Sequence, residues 1–167
     1  SVTEYNIAFR YFNLLNVIFN LILIPFWSAF TSAQAKADSD WIKKAIKNLL
    51  VIFAGLFALG LTMLIGTFWA YDLWLNGLVK IPFSLSAVMM ISVILTMWNY
   101  LFVYYLSGID RINLYTKLVM LSGALNIPVS IILVQLFGTV GVISATCISL
   151  LPQAIALPIQ SYKLLRS

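Results

Sequence analysis

Hydrophobic positions along this chain fall into five long runs, and short polar or charged stretches separate them. Each run exceeds the roughly 20 residues that an α-helix needs to cross about 30 Å of hydrocarbon. The runs are continuous and lack the apolar–polar alternation that is typical of a membrane β-barrel. Because lipid offers the backbone no hydrogen-bond partners, the pattern predicts transmembrane helices. The predicted spans are Tyr5–Phe30, Ile46–Ala70, Phe83–Tyr105, Leu114–Phe137 and Val140–Leu164.

The amino-acid composition supports the same fold class. Of the 167 residues, 62% are hydrophobic and 9% are charged, whereas soluble domains have about 45–50% apolar and about 25% charged residues. A chain this short cannot bury such an excess in a soluble core. No Pro-, Gly- or Ser-rich linker divides the sequence. We therefore predict an all-α, polytopic membrane helix bundle that extends over residues 1–167 as a single unit.

The basic residues indicate how the predicted bundle is oriented. Eight of the ten lie where alternating spans place them on one side of the membrane, and only Arg10 and Lys80 fall on the other. Under the positive-inside rule the eight face the cytoplasm, so we expect the C-terminus there and residue 1 outside. An outside start with five spans leads us to expect at least one further helix upstream. The eight are Lys36, Lys43, Lys44, Lys47, Arg111, Lys117, Lys163 and Arg166.

Residue types that carry much enzyme chemistry are scarce in the sequence. There is no His, which excludes a His-based metal site and a His general base. The single cysteine, Cys147, excludes an internal disulfide. The net charge of +5 is typical of topological charge in a membrane protein and does not indicate a nucleic-acid partner. We expect no enzymatic activity, no cofactor and no metal.

The first span contains a stripe of polar residues. Their spacing is 4, 3, 3 and 4, which at about 100° per residue confines them to roughly one third of the helix surface. An Arg at the lipid-facing centre of a helix costs about 2.5–3.5 kcal/mol on insertion scales, so we expect the stripe to face a hydrated cavity. The alternative is that the amides join neighbouring helices. The stripe consists of Asn6, Arg10, Asn13, Asn16 and Asn20.

Within this stripe, Arg10 is the strongest single candidate for a substrate-binding residue. It is expected to act as a fixed cation that draws an anionic, phosphate-bearing substrate through charge-assisted hydrogen bonds. The competing role is an arginine that extends to the outer interface.

A secondary set of candidate cavity residues lies on the third and fourth spans. For the three on the third span the competing role is helix–helix contact, and for the lysine it is a topological charge. The set consists of Ser92, Thr96, Asn99 and Lys117.

The connections contain helix-boundary and turn signals. Ser39 or Asp40 is expected to cap a helix that starts with the residues WIKK. The segment YDLWLNGLVKIP, with its aromatic residues and Asn-Gly pair, predicts an interfacial outer loop. Gly138 and Gly141 predict a very tight turn between the fourth and fifth spans.

The order of several motifs resembles the polysaccharide flippases of the multidrug/oligosaccharidyl-lipid/polysaccharide exporter superfamily. The match includes a Pro-aromatic-Trp-x-Ala segment, an Ala-rich hinge with an acidic residue, and Trp-Ile-Lys-Lys. It also includes an Asn-Ile-Pro that is followed by Gly-x-x-Gly-Val, and it extends over nearly the whole chain. In chain order the segments are YNIAFRYF, PFWSAFTSAQAKADSDWIKKAIK, LWLNGLVKIP, GIDRINLY, ALNIPVSIILVQLFGTVGVISAT and PIQSYKLL.

The resemblance implies two helical lobes around a central cavity, and this chain corresponds to the second lobe without its first helix. It implies export of undecaprenyl-pyrophosphate-linked oligosaccharide across the bacterial inner membrane by alternating access. Arg10 would then meet the pyrophosphate or an acidic sugar, while Asn13, Asn16 and Asn20 would bond sugar hydroxyls. The implied partners are the lipid bilayer, the lipid-linked oligosaccharide and the absent N-terminal lobe.

Three other functions stay open. A drug or small-molecule exporter of the same superfamily often uses a buried carboxylate for cation coupling, and no predicted span contains a carboxylate. A membrane-embedded glycosyltransferase would need paired carboxylates or a metal site, and the sequence offers no recognisable one. A non-catalytic scaffold subunit would bury its polar stripes between helices.

Overall fold

The fold was obtained as a computed structural model, which describes residues 2–75 and 81–166. Over those residues the chain consists of α-helices without strands. All of the helices except α3 are long and apolar enough to cross a membrane, which confirms the predicted all-α fold with five spans. The helices are α1 (Val2–Ala35), α2 (Ser39–Ile65), α3 (Thr67–Leu75), α4 (Phe83–Gly108), α5 (Asn113–Phe137) and α6 (Thr139–Arg166).

Helix α4 lies at the centre of the bundle. It packs against α1, α2 and α6, whereas α5 packs mainly against the far side of α6. Large side chains from α4 and α1 therefore fill the core, among them Met97, Leu101, Tyr105, Phe12 and Phe19. The outer faces of α2 and α5 remain apolar and exposed, as expected of surfaces that meet acyl chains.

The C-terminal ends of α1 and α4 approach each other closely. A Cβ at Gly108 would lie 2.7 Å from Cβ of Phe30, so a larger residue there would push the helices apart. Thr31 Oγ1 donates to the Gly108 carbonyl at 2.8 Å, and Gln160 Nε2 of α6 donates to the Arg111 carbonyl at 3.0 Å. These contacts hold the connections that contain the basic residues at one end of the bundle, where the predicted alternation of spans places them.

The prediction for the second span, Ile46–Ala70, was wrong at its C-terminal end, where the helix stops before Ala70. Helix α2 begins at Ser39 and ends at Ile65, and the separate helix α3 begins at Thr67. Gly66 is a poor helix former, and the Thr67 hydroxyl donates to the Leu64 carbonyl at 2.8 Å, so the local sequence favours a break.

Contacts with two other helices hold α3 in place after the break. Tyr71 packs edge-on against Tyr11 of α1, with ring centroids 5.3 Å apart. The hydroxyls of Tyr71 and Ser86 lie 3.1 Å apart and form a buried hydrogen bond to α4. The first part of the predicted outer loop is therefore helical, while its Asn-Gly pair and Lys80 lie outside the described residues.

The predicted cap of α2 was displaced by one or two residues. Asp38, rather than Ser39 or Asp40, is the N-cap, and its Oδ1 accepts from the Trp41 amide at 3.0 Å. Helix α1 continues to Ala35, and a short turn with Ala37 at φ 54° leaves Asp38 directly before the new helix.

The tight turn between α5 and α6 is confirmed. Gly138, at φ 60°, is the single residue between the two helices. A Cβ at Gly141 would collide with the Leu133 carbonyl, so α5 and α6 approach too closely there for any larger residue.

Helix α6 contains two prolines, Pro152 and Pro158. A proline inside a helix leaves the carbonyl four residues earlier without its usual donor. For Pro158 that carbonyl belongs to Ala154, and Trp98 Nε1 of α4 donates to it at 2.9 Å. Because an unpaired carbonyl is costly in a membrane, this bond stabilises α6 at Pro158 and ties it to α4.

Candidate functional site

A groove runs between α1, α4 and α6 on one side of the bundle. Helices α1 and α6 both pack on α4, and the space left between them forms a cavity of about 220 Å³. The polar and aromatic side chains that line it are Tyr5, Phe9, Asn13, Asn16, Ser92, Thr96 and Thr146.

The asparagines of α1 form a continuous chain of hydrogen bonds beside this groove. Asn16 Nδ2 donates to Asn13 Oδ1 at 3.2 Å, and Asn20 Nδ2 donates to Asn16 Oδ1 at 3.0 Å. Tyr104 of α4 donates its hydroxyl to Asn20 Oδ1 at 3.2 Å. We call this set, Asn13, Asn16, Asn20 and Tyr104, the amide ladder. Its bonds fix the orientation of each amide relative to the next.

The amide ladder ends in an open donor. Asn13 accepts from Asn16 through its carbonyl oxygen, and its Nδ2 group bonds no residue in the described part of the chain. Asn13 is half-buried and lines the cavity. A molecule with hydroxyl or other neutral acceptor oxygens would find two amide hydrogens there.

The opposite wall of the groove supplies acceptors. Thr96 Oγ1 donates to the Ser92 carbonyl at 2.8 Å, and Thr146 Oγ1 donates to the Val142 carbonyl at 3.3 Å. Each hydroxyl proton is thus engaged by its own helix, which leaves the oxygen lone pairs as acceptors. The groove therefore pairs a donor wall on α1 with an acceptor wall on α4 and α6.

The end of the groove nearest the start of α1 is aromatic. The rings of Tyr5 and Phe9 are nearly parallel, with 4° between planes and centroids 6.2 Å apart. None of the residues that line the cavity is charged. The site therefore offers apolar ring faces and neutral hydrogen-bonding groups.

Some members of the polar stripe predicted on the first span line the cavity, and others lie outside it. Asn13 and Asn16 line the cavity, and Asn20 lies behind them in the amide ladder. Asn6 and Arg10 are exposed and do not line it. Arg10 lies three residues before Asn13, about 4.5 Å along the helix axis, and forms no ion pair within the described residues.

The secondary candidates are divided as well. Ser92 and Thr96 line the cavity. Asn99 is buried against α6, where its Nδ2 donates to the Leu150 carbonyl at 3.4 Å and its Oδ1 has no partner in the described part of the chain. Lys117 is exposed on α5 and lies outside the groove.

Four contributors were not predicted as site residues from the sequence: Tyr5, Phe9, Thr146 and Tyr104. Thr146 is one of several hydroxyl residues on α6, and Tyr104 is one of several tyrosines on α4. Polar spacing alone does not distinguish these two from their neighbours, because Ser149 of α6 bonds Asn126 of α5 instead of the groove.

The side chains that line the groove are uncharged. Within residues 2–75 and 81–166, no group of three His, Cys, Asp or Glu side chains is placed to hold a metal ion. The chemistry that its side chains support is reversible hydrogen bonding and ring packing.

Comparison with known proteins adds no family assignment. No protein-family model, curated protein or solved structure matches the chain. The described residues form an all-α bundle, and five of its helices are long and apolar enough to cross a membrane.

Proposed function

We propose that this chain lines part of the path by which a lipid-linked oligosaccharide crosses the bacterial inner membrane. In this proposal the multi-pass chain is oriented with its basic end and C-terminus in the cytoplasm, and it moves cargo without catalysing a covalent reaction. The motif order described above suggests this substrate class, and the groove between α1, α4 and α6 is where its sugars would pass.

The observation that carries the proposal is the neutral, two-walled groove. Sugar hydroxyls both donate and accept, which suits the free Asn13 amide on one wall and the Thr96 and Thr146 oxygens on the other. The Tyr5 and Phe9 rings can pack on the apolar face of a sugar ring. Neutral partners of this kind hold a hydroxylated cargo without trapping it by charge.

The same groove argues against export of drug-sized cations. No carboxylate lines the cavity within the described part of the chain, so it offers no counter-charge to a cationic drug.

The proposal is tested by replacing Asn13 and Asn16 together with Leu in the gene that encodes this chain, so that the protein is made at its natural length. We expect export of lipid-linked oligosaccharide to fall about tenfold or more, because two amide contacts of about 0.5–1.5 kcal/mol each are lost. The measurement is the ratio of lipid-linked oligosaccharide on the two sides of the membrane at equal protein abundance. Arg10→Ala should also lower export if Arg10 meets the pyrophosphate.

The matched control is Asn126→Leu. It removes an amide that bonds Ser149 of α6 at 3.1 Å and that does not line the groove. Export should stay near normal in this variant. Normal export by the Asn13 and Asn16 double variant at full abundance would count against the proposal.

A scaffold role is the second candidate, and the amide ladder is the observation that favours it. Three of its four members are bonded to each other within one helix, and Tyr104 ties them to α4. In a scaffold these bonds would serve helix association alone. The double variant would then lower protein abundance or stability, while export per molecule would not change.

A further inference from the structure

A second groove lies between the C-terminal half of α6 and the start of α5. Its cavity measures about 480 Å³, and it shares no lining residue with the groove between α1, α4 and α6. Its floor and walls are apolar and its mouth is polar. The residues that line it are Leu114, Pro152, Ile155, Ala156, Ile159, Gln160 and Lys163. We call it the α5–α6 groove.

The length of this groove matches one leaflet of a bilayer. Lys163 is the eleventh residue after Pro152, which corresponds to about 17 Å at 1.5 Å per residue. Half of a hydrocarbon core of about 30 Å is about 15 Å. Pro152 lies near the middle of α6 and Lys163 in its last turn. With Pro152 placed at the bilayer midplane, a groove of this length would reach the headgroup level at Lys163.

The mouth of the groove is positively charged. Lys163 is exposed and forms no ion pair within the described residues. Lys117, also exposed, lies three residues after Leu114 and therefore on the same face of α5. Arg111 lies two residues before the start of α5, with Asp110 as the neighbouring carboxylate. Net positive charge at this level attracts anionic headgroups.

Backbone geometry adds to the charge at the mouth. Helix α5 begins at Asn113, and no side chain caps its first turn, so its amide N–H groups favour an anion. Gln160 Nε2 donates to the Arg111 carbonyl at 3.0 Å. That bond ties α6 to the start of α5 and holds the mouth in shape.

We propose that the α5–α6 groove binds one anionic phospholipid from the leaflet at the basic end of the bundle. One acyl chain lies along Ile155 and Ile159, and the phosphate lies between Lys163 and Lys117 at the start of α5. A water-soluble phosphate would leave the apolar floor empty, and a zwitterionic lipid would gain little from the lysines. The bound lipid joins α6 to α5 at the end where the two helices lack a short connection.

The test uses the purified full chain in detergent with two probes at equal concentration, phosphatidylglycerol and phosphatidylcholine of the same acyl chains. Native mass spectrometry counts the lipids retained. We expect phosphatidylglycerol to be preferred, and we expect Lys163→Gln to weaken its retention about fivefold and the Lys163→Gln, Lys117→Gln pair about thirtyfold. Ala156→Phe, which fills the groove but keeps every charge, should reduce retention of both lipids.

The matched control is the Lys44→Gln, Lys47→Gln pair. Both lysines are exposed at the same end of the bundle on α2 and lie outside the groove, so retention should change less than twofold. Equal retention of the two lipids, or an equal loss in this control, would overturn the proposal. Displacement of phosphatidylglycerol by millimolar inorganic phosphate with no effect of Ala156→Phe would replace it with a simple anion site. A chain dimer whose lipid content is independent of Lys163 would also overturn it.

Discussion

Water access along α1 is the most direct prediction from this structure. Successive residues of this helix have three different environments, since Phe12 is buried, Asn13 lines the cavity and Leu14 is 56% exposed on an apolar face. The same order recurs at Leu15, Asn16 and Val17. Cysteine scanning over these six positions therefore samples core, groove and lipid-facing surface twice within two turns.

The size of the expected difference follows from thiol chemistry. A cavity of about 220 Å³ has room for several water molecules at roughly 30 Å³ each. Cysteine reacts as the thiolate, and burial in an apolar environment raises its pKa by up to about 3–5 units. A difference of about two units already lowers the thiolate fraction about 100-fold. We therefore expect the two groove positions to react at least about 100-fold faster than their neighbours.

The assay is the rate of labelling by a small charged methanethiosulfonate reagent in membranes. The chain has one native cysteine, Cys147, so the scan is carried out on a Cys147→Ala background. Labelling should be fast for Asn13→Cys and Asn16→Cys and slow for Leu14→Cys and Phe12→Cys.

Equal labelling of groove and lipid-facing positions would contradict this prediction. If Asn13→Cys and Leu14→Cys react at the same slow rate in folded protein, the polar face of α1 is dry and serves helix packing. The proposal of a sugar path would then lose its main support. The α5–α6 groove would not be affected, because it shares no lining residue with the cavity beside α1.

Three further predictions concern the packing of the bundle. Trp98→Phe should destabilise the folded chain, because the Ala154 carbonyl loses its indole donor. The lost hydrogen bond should account for about 0.6 kcal/mol and for no more than about 1.7 kcal/mol, and denaturant titration in detergent measures the change in stability. Gly141→Ala should cost about 1–3 kcal/mol or lower expression, since its methyl group collides with the Leu133 carbonyl. Burial raises the pKa of Tyr71 above the value of about 10 that it has in the unfolded chain. The contribution of Tyr71 to stability is therefore fully present below about pH 10 and is lost as the pH rises through its pKa in the folded chain. Thermal unfolding at pH 9 and pH 11 should show that Tyr71→Phe loses less stability at the higher pH than the unmodified chain does. An equal loss of stability in both proteins would contradict this assignment.

Local physics explains why so much of the fold was predictable. Five apolar runs longer than a bilayer leave the backbone no stable state in lipid except helices, so the fold class and the number of spans followed from the sequence. The Gly138 turn was recognisable for a similar reason, since its φ of 60° suits glycine and few other residues. The break at Gly66 was missed because hydrophobicity continues through it, and contacts of Tyr71 with α1 and α4 help to hold the segment after it.

The polar face of α1 could be predicted from residue spacing, because a period of 3.6 residues places such side chains on a common side of any helix. Which members of that face meet the other helices depends on how the helices pack. Asn13 and Asn16 join Ser92 and Thr96 around one cavity, whereas Arg10 on the same stripe stays outside it. The physical reason is that a helix fixes angles along its own axis, while the partners of each residue depend on how neighbouring helices fit and where they end.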